Sequence, residues 1–62
     1  MDDQELVQRY NDGERDFQGL RLAYCNLSRC ILTDIDLDGV SLFSARLEQA
    51  DLSRANLRRA NL

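Results

Sequence analysis

The side chains with chemistry to offer in this chain are two cysteines, Cys25 and Cys30, and eleven carboxylates. The thiols stand five residues apart. That is not the CxxC spacing of a redox or zinc pair, and no second pair completes a tetrahedral metal site. With no histidine in 62 residues, the chain lacks the commonest metal ligand and the base that Ser-His-Asp and Cys-His chemistry needs. No glycine-rich loop is spaced to cradle a phosphate. No pair of carboxylates falls in a setting apolar enough to push their acidities apart. The residues therefore predict no catalytic group, no cofactor and no metal, and the chain reads as not an enzyme.

The charge is unevenly spread. Residues 1–45 hold nine acids and four arginines, a net of −5, and residues 46–62 hold two acids and four arginines, a net of +2. Neither part has the basic patch of a nucleic-acid binder. No run of 18 apolar residues spans a membrane. The first residues, Met1-Asp2-Asp3-Gln4-Glu5, are acidic where a signal peptide is basic, so the expected address is cytoplasmic.

The elements that position these side chains follow from a repeat of five. Every fifth residue from 17 is Phe17, Leu22, Leu27, Leu32, Leu37, Leu42, Leu47, Leu52, Leu57 and Leu62. Two residues before them stand Leu20, Cys25, Cys30, Ile35, Val40, Ala45, Ala50, Ala55 and Ala60. The residue between is mostly polar, Ile31 excepted. On a helix a step of five rotates the side chain by about 140°, which scatters the leucines round the axis. On a straight strand the two apolar positions share a face, but the odd step to the next pentad throws them to the other side. Both stay inside only if the chain bends once per pentad. Short inward-facing segments joined by regular corners coil into an all-β solenoid whose turns stack at strand spacing.

The units Ala50-Asp51-Leu52-Ser53-Arg54, Ala55-Asn56-Leu57-Arg58-Arg59 and Ala60-Asn61-Leu62 resemble the A-[D/N]-L-x-x unit of pentapeptide-repeat proteins. The resemblance covers residues 15–62. It implies a right-handed quadrilateral β-helix with four pentads per coil. Leu20, Cys25, Cys30, Ile35 and Val40 replace the family's alanine in the early pentads and imply a wider first coil.

A coil of four pentads makes further expectations. Cys25 lies under Ala45 and Cys30 under Ala50, both pointing inward as small buried hydrophobes. Asp34 lies under Arg54 and Asp38 under Arg58. Gly19 and Gly39 share a corner that suits a positive φ, and Arg59 above them either changes the turn or strains it. Tyr24, Ile31 and Phe43 remain outside as possible partner contacts.

Residues 2–12 read as a short helix, capped by Asp2 or Asp3, stopped by Gly13, and striped by Leu6, Val7 and Tyr10. Residues 1–14 are then an N-terminal cap, and residues 15–62 form about 2.4 coils with no C-terminal cap. Two origins of that open end are expected: the chain is the N-terminal part of a longer repeat protein, or, if complete, it associates end to end through its last coil. The functional expectation is a non-catalytic structural or protein-interaction module with an unknown protein partner, not nucleic acid or membrane. The alternative, implied by the resemblance, is a DNA-mimicking protein of the quinolone-resistance type that binds gyrase. It is opposed by Arg54, Arg58 and Arg59 above Asp34, Asp36 and Asp38, where charges cancel.

Overall fold

The period of five is resolved by the backbone into a bridging residue, an inward core residue and a two-residue turn. The computed structural model describes residues 1–62 and contains one helix, α1 (Asp3–Asn11), before this repeat. Bridging residues pair in parallel with partners four pentads further on: Asp16 with Asp36, Arg21 with Ser41, Asn26 with Arg46, Ile31 with Asp51, Asp36 with Asn56 and Ser41 with Asn61. The pentads thus fall into four columns, the first through Phe17, Leu37 and Leu57, the second through Leu22, Leu42 and Leu62, the third through Leu27 and Leu47, the fourth through Leu32 and Leu52.

Successive layers are joined by backbone hydrogen bonds of 2.7–3.0 Å in a repeating pattern. The core residue donates upward, as Leu22 N–H does to the Ser41 carbonyl, and so does the second turn residue, as Tyr24 does to Phe43. The bridging residue donates downward, as Ser41 does to Leu20. The ladder therefore has a direction. Its upper edge displays two N–H groups for each carbonyl, and its lower edge the reverse.

The helix was expected, but the expectation of an all-β solenoid needs correcting in one respect: each pentad contributes a single bridging residue rather than a strand, so no sheet forms. The reason is the turn that follows every core residue. In eight successive pentads the core carbonyl accepts from the N–H three residues on, at 2.9–3.3 Å. The third residue of each turn is left-handed, with φ of 56–72° from residue 19 to residue 59. This is the type II geometry that favours glycine. Only Gly19 and Gly39 are glycine; Tyr24, Arg29, Asp34, Ser44, Gln49, Arg54 and Arg59 adopt the same conformation with a side chain. Arg59 therefore keeps the turn type of Gly39 rather than changing it.

The polar residue before each core leucine has a local task. Asp16, Asn26, Asp36, Asp51 and Asn56 each accept, through their side-chain oxygen, the N–H two residues on, at 3.1–3.3 Å. That amide has no place in the ladder, and the Asx bond satisfies it as the turn begins.

Phe17, Leu22, Leu27, Leu32, Leu37 and Leu42 are buried, with Ile35 and Val40 beside them. Leu47, Leu52 and Leu57 are half-buried and Leu62 is 72% exposed, because the third layer contains only residues 55–62. Cys25 and Cys30 are half-buried free thiols rather than fully enclosed ones. They belong to the first layer, which has only α1 beneath it.

The helix is shorter at both ends than residues 2–12. Asp2 is its N-cap and accepts the Glu5 N–H at 2.8 Å. Gly13, with φ 106°, ends it: Gly13 N–H reaches the Tyr10 carbonyl and Glu14 N–H the Arg9 carbonyl, a Schellman arrangement. Leu6 and Tyr10 are buried in the same cluster as Phe17, Leu22 and Leu27, and Val7 packs against it. The Tyr10 hydroxyl donates to the Thr33 carbonyl at 2.7 Å, supplying a donor to the acceptor-rich lower edge. Arg15 stands where later pentads carry a small apolar residue. Its guanidinium lies 3.7 Å over the Tyr10 ring and donates to the Tyr10 carbonyl.

Candidate interaction surface

The interior is filled by side chains, so any site lies on the outside. The one depression is an open strip along α1, lined by polar residues and Val7 and edged by Asn26. No three cysteine, aspartate or glutamate side chains converge as a metal site would require. No helix is long and apolar enough to cross a membrane.

The turns tie the layers together externally. Arg54 forks Asp34 with bonds of 2.8 and 3.0 Å. Asp38 is forked by Arg59, at 3.0 and 2.9 Å, and not by Arg58, which lies directly above it. The side chain at the left-handed position swings sideways over Gly39, where nothing lies within 4 Å of a hypothetical Cβ, and reaches the neighbouring carboxylate. Hydrogen bonds from these guanidinium groups, then their charge, hold the Asp34 and Asp38 carboxyls below the usual carboxylate range and raise both arginines. Asp51 is lowered by its bonds from the Ser53 hydroxyl and N–H. Arg29 donates to Gln49 at 3.1 Å and Ser28 to Glu48 at 3.1 Å. The Cys25 thiol is raised, first by burial and then by the nearby Asp3, which disfavours the reactive thiolate.

Of the three apolar side chains left outside, the fold brings two together. Tyr24 and Phe43 meet edge to face at the corner between the second and third columns, with ring centres 5.9 Å apart and planes at 87°. They remain 73% and 52% exposed. Ile31 is exposed at the centre of the fourth column, bridged to Asp51 above it, and joins no other exposed apolar residue. The core positions are carried by the layers and make no site.

Two flanking residues of the aromatic corner escaped the sequence reading. Arg21 precedes Tyr24 by three residues, and Arg46 follows Phe43 by three. Both take the bridging position, where an Asx side chain would serve the turn, and neither side chain makes an ion pair or hydrogen bond within the protein. The available signal was the break in the Asx pattern at these positions once the pentads are stacked four to a layer.

Parallel layers of four pentads and a filled interior define a repeat protein whose accessible surface is external. The sequence matches the pentapeptide repeats in eight copies over residues 16–42 and 35–62, and the chain belongs to that family. The repeat marks it as a structural or interaction module. A search of the curated proteins found no match.

Proposed function

We propose that this chain is a non-catalytic protein-interaction module of cytoplasmic address. In this reading residues 15–62 wind as a right-handed quadrilateral β-helix, residues 1–14 cap its first coil, and the exterior meets a protein partner. The observation that carries the reading is the Tyr24–Phe43 pair. Two aromatic rings are held together in solvent, outside a core that has no need of them. Aromatic residues are enriched at the centres of protein interfaces. The filled core and the inward-facing repeat leave no cleft in which a reaction could be shielded from water.

Gyrase binding by DNA mimicry is the weaker reading. Asp34 and Asp38 are neutralised by Arg54 and Arg59 where a mimic needs charge to accumulate along one face. Inhibition of gyrase supercoiling that is lost in Asp36→Asn would reinstate it. End-to-end association through the upper edge is also disfavoured for two identical copies. A two-fold contact sets one donor-rich edge against another, whereas a ladder needs acceptors opposite.

The test is site-specific photocrosslinking in the native cell, with the probe at position 43 and, on the opposite corner, at position 53. A discrete adduct from position 43 alone supports the reading. Equal adducts from both positions, or none from either, overturn it.

A further inference from the structure

We infer that the corner between the second and third columns binds an acidic protein segment, one that presents an apolar side chain between carboxylates. This rests on the reading of the chain as an interaction module and supplies the partner's chemistry.

The corner combines an apolar centre with unspent positive charge. Tyr24 and Phe43 form the centre. Arg21 stands on one side, at the middle of the second column, and Arg46 on the other, at the middle of the third. The remaining arginines are mostly engaged. Arg9 pairs with Glu14, Arg54 with Asp34 and Arg59 with Asp38, while Arg15 and Arg29 donate to oxygens of Tyr10 and Gln49. Apart from Arg58, Arg21 and Arg46 are the only guanidinium groups with all their donors free. A guanidinium offers a planar fork that fits a carboxylate bidentately, and it lies flat beside an aromatic ring at little desolvation cost.

The sequence departs from its own local rule to put them there. An Asx residue at the bridging position satisfies the turn amide two residues on, as five pentads show. Arg21 and Arg46 forgo that bond and gain none in return. A local rule broken with no gain inside the fold is the mark of a functional position. Ile31 and Ser41 break the rule as well, but both are uncharged and add nothing that could meet a carboxylate.

Charge complementarity selects the occupant. No carboxylate occupies the bridging positions of the second and third columns, which hold Arg21, Ser41, Asn61, Asn26 and Arg46. The carboxylates at the outer corners of these columns, Asp38 and Glu48, are already bonded to Arg59 and Ser28. The acidic N-terminus borders the corner from below, with the Met1 carbonyl 3.9 Å from the Cys25 sulfur, so the segment crosses the corner away from α1. A single-stranded nucleic acid also stacks on aromatic rings beside arginines. It brings a continuous phosphate backbone, however, to a chain of net charge −3 whose acidic end adjoins the corner.

The experiment is an amide-resolved NMR titration of the full chain at low salt. The probes are a blocked peptide with two leucines flanked by pairs of glutamates, its glutamine counterpart, and oligo-dT. The expected result is saturable shifts at residues 21–24 and 43–46 with the glutamate peptide, absent with the glutamine peptide. The double variant Arg21→Gln/Arg46→Gln should weaken binding about tenfold while keeping the amide dispersion of the folded chain. Arg58→Gln, which removes an equally free arginine from another corner, should leave binding unchanged. Three results overturn the inference: no saturable shift, equal weakening by Arg58→Gln, or preferential binding of oligo-dT. Because position 43 can still crosslink a protein while the acidic peptide fails to bind, the two readings fail separately.

Discussion

Truncating one leucine in each layer of a single column measures the stack directly. Leu22 and Leu42 are enclosed, at 0% and 2% exposure, whereas Leu62 is 72% exposed. Leu22→Ala and Leu42→Ala each remove a buried side chain and leave a cavity between packed layers, at a cost of about 3–5 kcal/mol. Leu62→Ala removes a side chain still largely in water and should cost less than about 1 kcal/mol. A domain of this size holds only about 3–9 kcal/mol in total, so the first two variants approach complete unfolding. They are best compared in an osmolyte that strengthens burial. Urea unfolding followed by circular dichroism gives the three midpoints. The expected order is Leu62→Ala close to the parent and the other two far below it. Equal losses at Leu42 and Leu62, or a negligible loss at Leu22, would refute the layered packing.

Other consequences follow from single contacts. Tyr10→Phe removes the hydroxyl that serves the Thr33 carbonyl on the lower edge, and should cost about 1–3 kcal/mol by urea unfolding, with α1 still formed. Ser44 holds φ 59° with an exposed side chain that makes no hydrogen bond, so Ser44→Gly should stabilise by about 0.5–1 kcal/mol, and a loss would contradict the strain assigned to that turn. The Asp34 and Asp38 carboxyls lie lower in the folded chain than in the unfolded one, so their contribution is fully present above the ordinary carboxylate value and is lost as pH falls below it and through the lowered folded value. Asp34→Asn/Asp38→Asn should therefore flatten the loss of stability below about pH 4, and an unchanged acid profile would show that the forks do not persist in solution.

The repeat was legible because its core position admits almost nothing but leucine. A period of five excludes helix and straight strand together, and the family resemblance supplied the four pentads of each coil. Less legible was whatever depends on neighbours across a corner. Gly19 and Gly39 announced left-handed turns, but Tyr24, Arg29 and Arg54 take the same φ with no local signal. The stacking rule set Asp38 beneath Arg58, yet the fork comes from Arg59, because a guanidinium reaches one residue off its vertical register when a glycine leaves room beneath it. The same limit hid the aromatic pair. Tyr24 lies beneath Ser44, so Phe43 stands one step off its vertical register, and only the turn geometry brings the two rings together. Strands were expected from the solenoid argument and are absent, since a left-handed turn follows every core residue and leaves one bridging residue per pentad.

The measurement that bears most directly on this account is scalar coupling across backbone hydrogen bonds in the isotopically labelled chain. Couplings from the Leu22 nitrogen to the Ser41 carbonyl carbon, from Tyr24 to Phe43 and from Ser41 to Leu20 are predicted, with the same offsets in the other columns. Couplings confined to residues within one pentad, or running at offsets other than these, would contradict the parallel stack on which the corner and its proposed partner depend.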